Sequence, residues 1–436
     1  MEHNLPKVLS ISLSTWREGS GIHTQTDLFQ FYSPDKVAQI YTKSDLPNTP
    51  VCNAFFRISE NEIIKSVLNR RPVGCRVKNG AIADDKTKKA MQQEQALYKR
   101  AHKKKSWSMT LAREIVWGLG KWKTKALDTF IAEEAPDVYF VPIYPVVFMG
   151  KLQLHIIKKY PRPYVCYLTD DNYTYKACGY NPFAYIHRFF LRGVVRKLAK
   201  NCTQMFTITQ MEAEETDQCF GTKSVVLTKG IDFTDRTFYD KPLSNPIKMV
   251  YTGNLLIGRA ASLVEISKAM AKINADGEKV TLNIYSGTAL DKKTMQYLNS
   301  NGCHFRGLVE KEKVDKIQAD ADIVIFAESL EKRHRMDARL SFSTKLTDYF
   351  KNGKCIFAIG DKNIAPIRYL KDHDCAIIVN EYAEMKDKLK DLVLNPSKIK
   401  EYAKKAYECG MKNHNKKDME RIFVDAFVSA AGEKGR

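Results

Sequence analysis

The sequence predicts an α/β fold of two Rossmann-like domains followed by a C-terminal helical tail. Three observations predict it. Short β-branched and aromatic runs alternate with longer amphipathic stretches. Several runs are hydrophobic almost throughout, as strands buried on both faces must be. The alternation occurs twice, in halves separated by a polar segment that carries two prolines. A chain of 436 residues has room for two or three such domains.

In chain order, the strand-like runs of the first half are residues 8–13, 37–41, 138–141, 164–168, 205–209 and 224–227. Those of the second half are residues 249–251, 280–285, 323–326, 355–359 and 376–379. Residues 260–273, 311–319 and 345–351 place apolar side chains at helical spacing between them. Strand–helix–strand alternation folds into a parallel sheet covered by helices on both faces. The boundary is expected within residues 229–248, KGIDFTDRTFYDKPLSNPIK, directly before the strand KMVYTG. This places the first domain at residues 1–240, the second at 247–410, and a C-terminal helix and tail at 411–436.

Composition narrows the function classes. An apolar fraction of 44%, with 21 Phe and 21 Tyr, excludes global disorder. No segment reaches the roughly 18–20 apolar residues of a membrane span. The best candidate, residues 141–149, is broken by Pro142 and Pro145. The N-terminal MEHNLPKVLSISLS has no basic stretch ahead of its short apolar run, so it reads as a first strand rather than a signal peptide. The ten cysteines are scattered without a C-x-x-C pair, and free thiols in a reducing cytosol are expected. Lys plus Arg outnumber Asp plus Glu by 70 to 50, and a net charge of +20 points to an anionic partner.

Much of that charge is local. Residues 65–125 hold 17 Lys and Arg against 4 Asp and Glu. The segment ends in WSMTLAREIVWGLGKWK, where Trp107, Leu111, Ile115, Leu119 and Trp122 recur at three- and four-residue spacing. A basic helix with such a face suits the surface of an anionic membrane. The competing reading is a helix packed on its own domain with its charges solvated. Single-stranded nucleic acid also uses aromatics among basic residues. No RNA-binding signature accompanies the segment, so no nucleic-acid partner is expected.

Two segments of the second half carry chemistry. In YTGNLLIGRAASLVEISKAM a strand ends, Gly253 and Gly258 form the turn, and an amphipathic helix follows. Glycine lets backbone approach a ligand, a helix N-terminus offers amides to an anion, and Arg259 adds a cation. The turn does not match G-x-G-x-x-G, which argues against a dinucleotide cofactor. In RLSFSTKLTDYFKNGKCIFAIG, Ser343, Thr344 and Lys345 open a helix and Asp348 follows one turn later. A cation for phosphate and a carboxylate for ribose hydroxyls suit a nucleoside diphosphate. A capped helix with a Lys345–Asp348 ion pair is the competing reading.

These pieces occur in an order that resembles the C-terminal domain of group 1 glycosyltransferases, retaining enzymes with the two-Rossmann GT-B fold. The matching segments are YTGNLLIGR, LNIYSG, FRGLVEKEKVDKIQADADIVIFAES and STKLTDYFKNGKCIFAIG. The likeness covers about 160 residues and extends loosely to LSISLS, EGSG, YLTDDNY, TITQMEAE and LTKGID in the first half. It implies that a nucleotide-activated sugar binds the second domain, in a cleft facing the first. Arg259 and Lys345 would neutralise the departing diphosphate, and Asp348 matches the family's ribose-binding acid. The first acid of the family's E-x7-E pattern falls at Leu340, and Glu328 lies too far upstream to replace it. Ser341 or Ser343 would then meet the sugar. Leu308 and Val309 would meet the base, with core packing as the competing reading. In the first domain the resemblance puts Gly19 and Gly21 of EGSG against the diphosphate or sugar, unless that loop is simply flexible. Asp170 and Asp171 would orient the acceptor hydroxyl.

The resulting expectation is a retaining sugar transferase of cell-surface polysaccharide synthesis. Its partners would be a nucleoside-diphosphate sugar, a saccharide or lipid-linked acceptor, and an anionic membrane surface, with the chain cytoplasmic or peripheral on the inner face. No cofactor or metal is expected. Asp320/Asp322 and Asp372/Asp374 match D-x-D, but the first pair opens a buried strand and the second sits in a polar turn. A non-catalytic binding protein and a sugar-nucleotide epimerase of the same fold are the rival readings.

Overall fold

The hydrophobic runs become the central strands of two parallel sheets. The computed structural model describes residues 5–17, 23–69, 71–104, 107–178, 181–234 and 236–432. The chain divides into one unit of residues 1–228 and 420–436 and a second of residues 229–419.

The first unit runs β1 (Val8–Ser12), α1 (His23–Leu28), β2 (Val37–Tyr41), β3 (Ala54–Arg57), α2 (Glu60–Asn69), β4 (Cys75–Val77), α3 (Asp85–Lys104) and α4 (Trp107–Leu119). It continues α5 (Lys125–Glu134), β5 (Val138–Pro142), α6 (Val147–Lys159), β6 (Tyr164–Leu168), α7 (Pro182–Lys200), β7 (Gln204–Thr207), α8 (Gln210–Phe220) and β8 (Ser224–Val226). The sheet order is β4-β3-β2-β1-β5-β6-β7-β8, and only the β3–β4 pair is antiparallel. Strands β1, β2, β5 and β6 are buried at every residue, as their largely hydrophobic runs require, with Ser10, Ser12 and Gln39 as buried polar exceptions.

The second unit runs β9 (Ile247–Thr252), α9 (Arg259–Ile273), β10 (Val280–Tyr285), α10 (Lys292–Tyr297), β11 (Cys303–Gly307), α11 (Lys311–Ala319) and β12 (Ile323–Ala327). Then come α12 (Thr344–Lys351), β13 (Cys355–Ile359), α13 (Ala365–Asp372), β14 (Ile377–Val379), α14 (Met385–Leu394) and α15 (Pro396–Asn413). Its six strands are all parallel, in the order β11-β10-β9-β12-β13-β14. The order reverses between β9 and β12, which pair through Ile323–Met249 and Val324–Val250. At such a reversal the loops leave the carboxyl ends of neighbouring strands in opposite directions and open a ligand crevice.

The last helix, α16 (Lys416–Gly432), is the expected C-terminal helix. From Glu420 onward it belongs to the first unit. Phe423 and Phe427 are fully buried there, and Phe423 packs edge-on against Phe29 at 4.9 Å. Burying two phenylalanines offsets the entropy of ordering the chain end. The second unit begins at Lys229, within the expected boundary segment, and the first closes at Thr228 rather than at residue 240. Residues 433–436 lie outside the described residues.

Candidate functional site

The strand reversal in the second unit gathers the charged residues. β9 ends at Thr252, and Gly253 follows at φ +137°, its amide donating to the Tyr285 carbonyl at 3.0 Å. A Cβ on Gly253 would occupy the space of the Lys345 ammonium end. Gly258 caps α9 at φ +79°, where a Cβ would run into the Ser329 side chain. Both positions therefore need glycine, for close approach and for left-handed backbone.

Arg259 opens α9 and turns toward the end of β12. Its Nε and Nη2 donate to the two carboxylate oxygens of Glu328 at 3.0 and 2.9 Å, and Nη1 donates to Asn254 at 2.9 Å. Glu328 is 5% exposed, so this is a bidentate pair in a partly dry setting. Lys345 stands in the first turn of α12. Its ammonium lies 3.4 Å from the Tyr251 hydroxyl and 4.7 Å from the centroid of that ring. Burial, then the Arg259 charge, pull its pKa down to about 8, with Glu328 opposing. Arg259 and Glu328 cancel each other, so Lys345 carries the unspent positive charge of the site.

The expectations for this unit resolve unevenly. Arg259 and Lys345 do share one site, but Arg259 is already engaged by a carboxylate. Glu328, set aside on spacing, belongs to the site. Its sequence signal was an acid ending a buried strand, next to a lone arginine in the neighbouring turn. Leu340, at the first acid position of the E-x7-E pattern, is fully buried. Lys345 does not pair with Asp348, and burial raises the Asp348 carboxyl while Lys229 lies 3.8 Å away. The i,i+3 ion pair of the competing reading is therefore not formed, because Lys345 points back to Tyr251. Ser343 precedes α12 without a side-chain cap bond, and Thr344 is exposed, so the hydroxyl-cap reading fails as well. Leu308 is 83% exposed and Val309 half-buried, so core packing does not account for Leu308.

In the first unit, Gly19 and Gly21 lie outside the described residues. Asp170 and Asp171 follow β6 at its carboxyl end. Asp171 accepts from the Thr174 amide at 3.0 Å and the Thr174 hydroxyl at 2.6 Å, which makes it the carboxylate of a tight turn. Asp170 is exposed. The D-x-D aspartates have structural partners: Asp322 accepts from the Lys248 amide at 2.9 Å, and Asp374 pairs with Lys405 at 2.7 Å.

α4 packs inward through Trp117, stacked on Phe148 at 4.2 Å, and Glu114, which accepts from the first amides of α6 at 2.7 Å. Of its expected apolar stripe, Ile115 and Leu119 are 62% and 64% exposed and Leu111 is half-buried. Trp122 lies beyond the helix and is buried, while the side chain of Trp107 is outside the described residues. α7, which touches α4, exposes Phe183, Ile186, Phe189 and Phe190 in its first half and Arg196, Lys197 and Lys200 in its second. Among the described residues no helix is long and apolar enough to cross a membrane.

No family model and no curated protein matches the sequence. Solved structures do resemble the fold. HepE from Anabaena, determined with UDP, superposes with a TM-score of 0.63 at 11% identity, over 97% of this chain and 100% of its own. HepE has also been determined with UDP-glucose. Sucrose-phosphate synthase from Thermosynechococcus elongatus gives 0.57 at 10% identity, over 97% and 98%. The trehalose 6-phosphate synthase of Burkholderia multivorans gives 0.58 at 10%, over 99% and 98%. At these identities the likeness establishes the two-Rossmann GT-B fold.

Proposed function

We propose that a chain built on this fold transfers a sugar from a nucleoside-diphosphate donor, bound in the second unit, to a saccharide or lipid-linked acceptor. The observation that carries the reading is the Lys345 ammonium, buried and without a carboxylate of its own, at the strand reversal between β9 and β12. A cation kept without a counter-ion stores electrostatic free energy that a diphosphate releases. Solved neighbours with the same fold have been determined with UDP and UDP-glucose.

As the glycosidic bond to the donor breaks, positive charge grows at the anomeric carbon and negative charge on the diphosphate. Lys345 meets that negative charge directly. Arg259 offers oriented N–H groups beside it, held in place by Glu328 and Asn254. The first amides of α9 add the positive end of a helix. On this reading Asp348, one turn past Lys345, meets the ribose hydroxyls, and Leu308 and Val309 meet the base. Ser343 and Thr344 are placed for phosphate or sugar. In the first unit, the proposal keeps Gly19 and Gly21 for the diphosphate or sugar, and Asp170 or Asp171 for the acceptor hydroxyl, with Asp171 also held by Thr174. With the diphosphate charge met by side chains, transfer needs no metal, and chelation with EDTA should leave the rate unchanged.

The resemblance to retaining enzymes adds that the product keeps the donor's anomeric configuration, which an NMR assay of the product tests. The outward apolar face of α4 and the basic charge of residues 65–125 favour an acceptor at the inner membrane face, as in cell-surface polysaccharide synthesis. The buried Leu340 favours one rival, a binding protein that has lost chemistry. A thermal-shift panel of sugar nucleotides tests the donor reading, since a ligand that binds only the folded state raises Tm with its concentration. Stabilisation by a UDP- or GDP-sugar followed by product formation supports transfer. Stabilisation without turnover or hydrolysis, across acceptors, would favour the binding protein.

A further inference from the structure

We infer that a groove in the first unit, between the end of α4, the start of α5 and the outer side of α6, binds the phosphorylated head group of a lipid. The groove encloses about 970 Å³. Its wall is aromatic, formed by Trp117, Trp122 and Phe148. Lys121, Lys123, Lys125 and Lys151 stand around it, all exposed and none in an ion pair among the described residues. Four like charges around one concavity repel each other, and an anion seated among them relieves that repulsion.

Two further features point to a ligand with acceptor oxygens. Trp117 is 2% exposed, lines the groove, and its indole N–H has no hydrogen-bond partner. Buried donors are rarely left unpaired, and this one lies in a residue that lines the groove. α5 also begins in the groove at Lys125 and Ala126, whose amides have no intrahelical acceptors. The one carboxylate in the lining, Glu114, is occupied by the amides of Val147 and Phe148. His155, also in the lining, is held below the usual imidazole range by burial and then by Lys123 and Lys159.

The volume exceeds what a phosphate alone fills, and the surroundings explain the rest. Gly118 and Gly120 line the groove, and Leu119 between them is exposed on the outer face of α4. A phosphate among the lysines, with an apolar stem along Trp122 and Leu119, uses every part of the site. A lipid head group supplies both parts, whereas inorganic phosphate supplies one. This inference does not rest on the transfer reading, since it invokes no sugar and no nucleotide.

The test is calorimetric titration of the full chain with octyl phosphate, inorganic phosphate and neutral octyl glucoside, at low and high salt. Octyl phosphate is expected to bind at least roughly tenfold more tightly than inorganic phosphate, and more weakly as salt rises. Octyl glucoside is expected not to bind. The double variant Lys121→Glu/Lys151→Glu reverses two exposed charges and should keep its circular dichroism spectrum. Its octyl phosphate affinity should fall roughly tenfold or more. Unchanged affinity in that folded variant would overturn the inference. So would inorganic phosphate binding as tightly as the alkyl ester, which would make the ligand a free anion.

Discussion

In the proposed reaction Lys345 is the residue on which the chemistry turns. Its ammonium is desolvated, faces the Arg259 charge, and rests on Tyr251 rather than on an acid. Lys345→Ala should therefore lower kcat by roughly 100-fold or more while leaving the fold intact, as a steady-state assay on the purified variant will show. The charge has a cost in stability. Below about pH 8 the folded protein holds the ammonium in an unfavourable place. Between about 8 and the ordinary lysine value the unfolded chain keeps the proton that the folded chain sheds, so stability rises with pH across that window. Lys345→Met removes the burden and should raise Tm by roughly 2–5 °C at neutral pH while abolishing turnover. Diphosphate affinity should fall as pH rises through about 8, and a flat profile across that value would argue against Lys345 as the phosphate cation. Residue chemistry at a turn and a helix start singled out Arg259, Lys345, Gly253 and Gly258 as candidates. It could not reveal that Glu328 engages Arg259, because that bond joins residues 69 apart across two strands. Nor could it show that Asp171 is spent on Thr174.

At the scale of elements, the sequence was most readable where strands are buried on both faces. β2, β6 and β13, buried at every residue, begin and end at the expected residues, because a largely apolar run stops where burial stops; β10 also matches, with residues alternately buried and half-buried. β3, β4 and β11 were missed. β4 has three residues with two exposed, and β11 pairs on one side only, so neither carries a buried run. The α4 stripe was legible as a face, but its direction was not. Periodicity shows that a helix has two sides, and tertiary packing decides which one meets the protein. Here Trp117 and Glu114 fasten the other side. Ile115→Glu/Leu119→Glu should therefore leave Tm nearly unchanged, since both side chains are mostly exposed. The same variant should lose flotation with anionic liposomes. A large fall in Tm would mean that the stripe is covered. The turn into α9 is more demanding. Gly258→Ala puts a methyl against Ser329 in left-handed backbone, and should cost about 1–2 kcal/mol in urea unfolding.

For the molecule as a whole, the net charge of +20 resolves into distinct tasks. One buried cation sits at the strand reversal of the second unit. A larger, exposed positive field covers the helical side of the first, around α4, α6 and α7. The two should respond differently to salt: the exposed field is screened within about 10 Å at 0.1 M, while the buried cation is screened far less. The measurement that bears most directly on the account is calorimetric titration of UDP, GDP and uridine into wild-type protein and Lys345→Met. One of the two nucleoside diphosphates should bind and uridine should not, and the variant should lose roughly 10- to 100-fold in affinity. Equal affinity in wild type and variant, or no binding of either diphosphate to the folded protein, would contradict it.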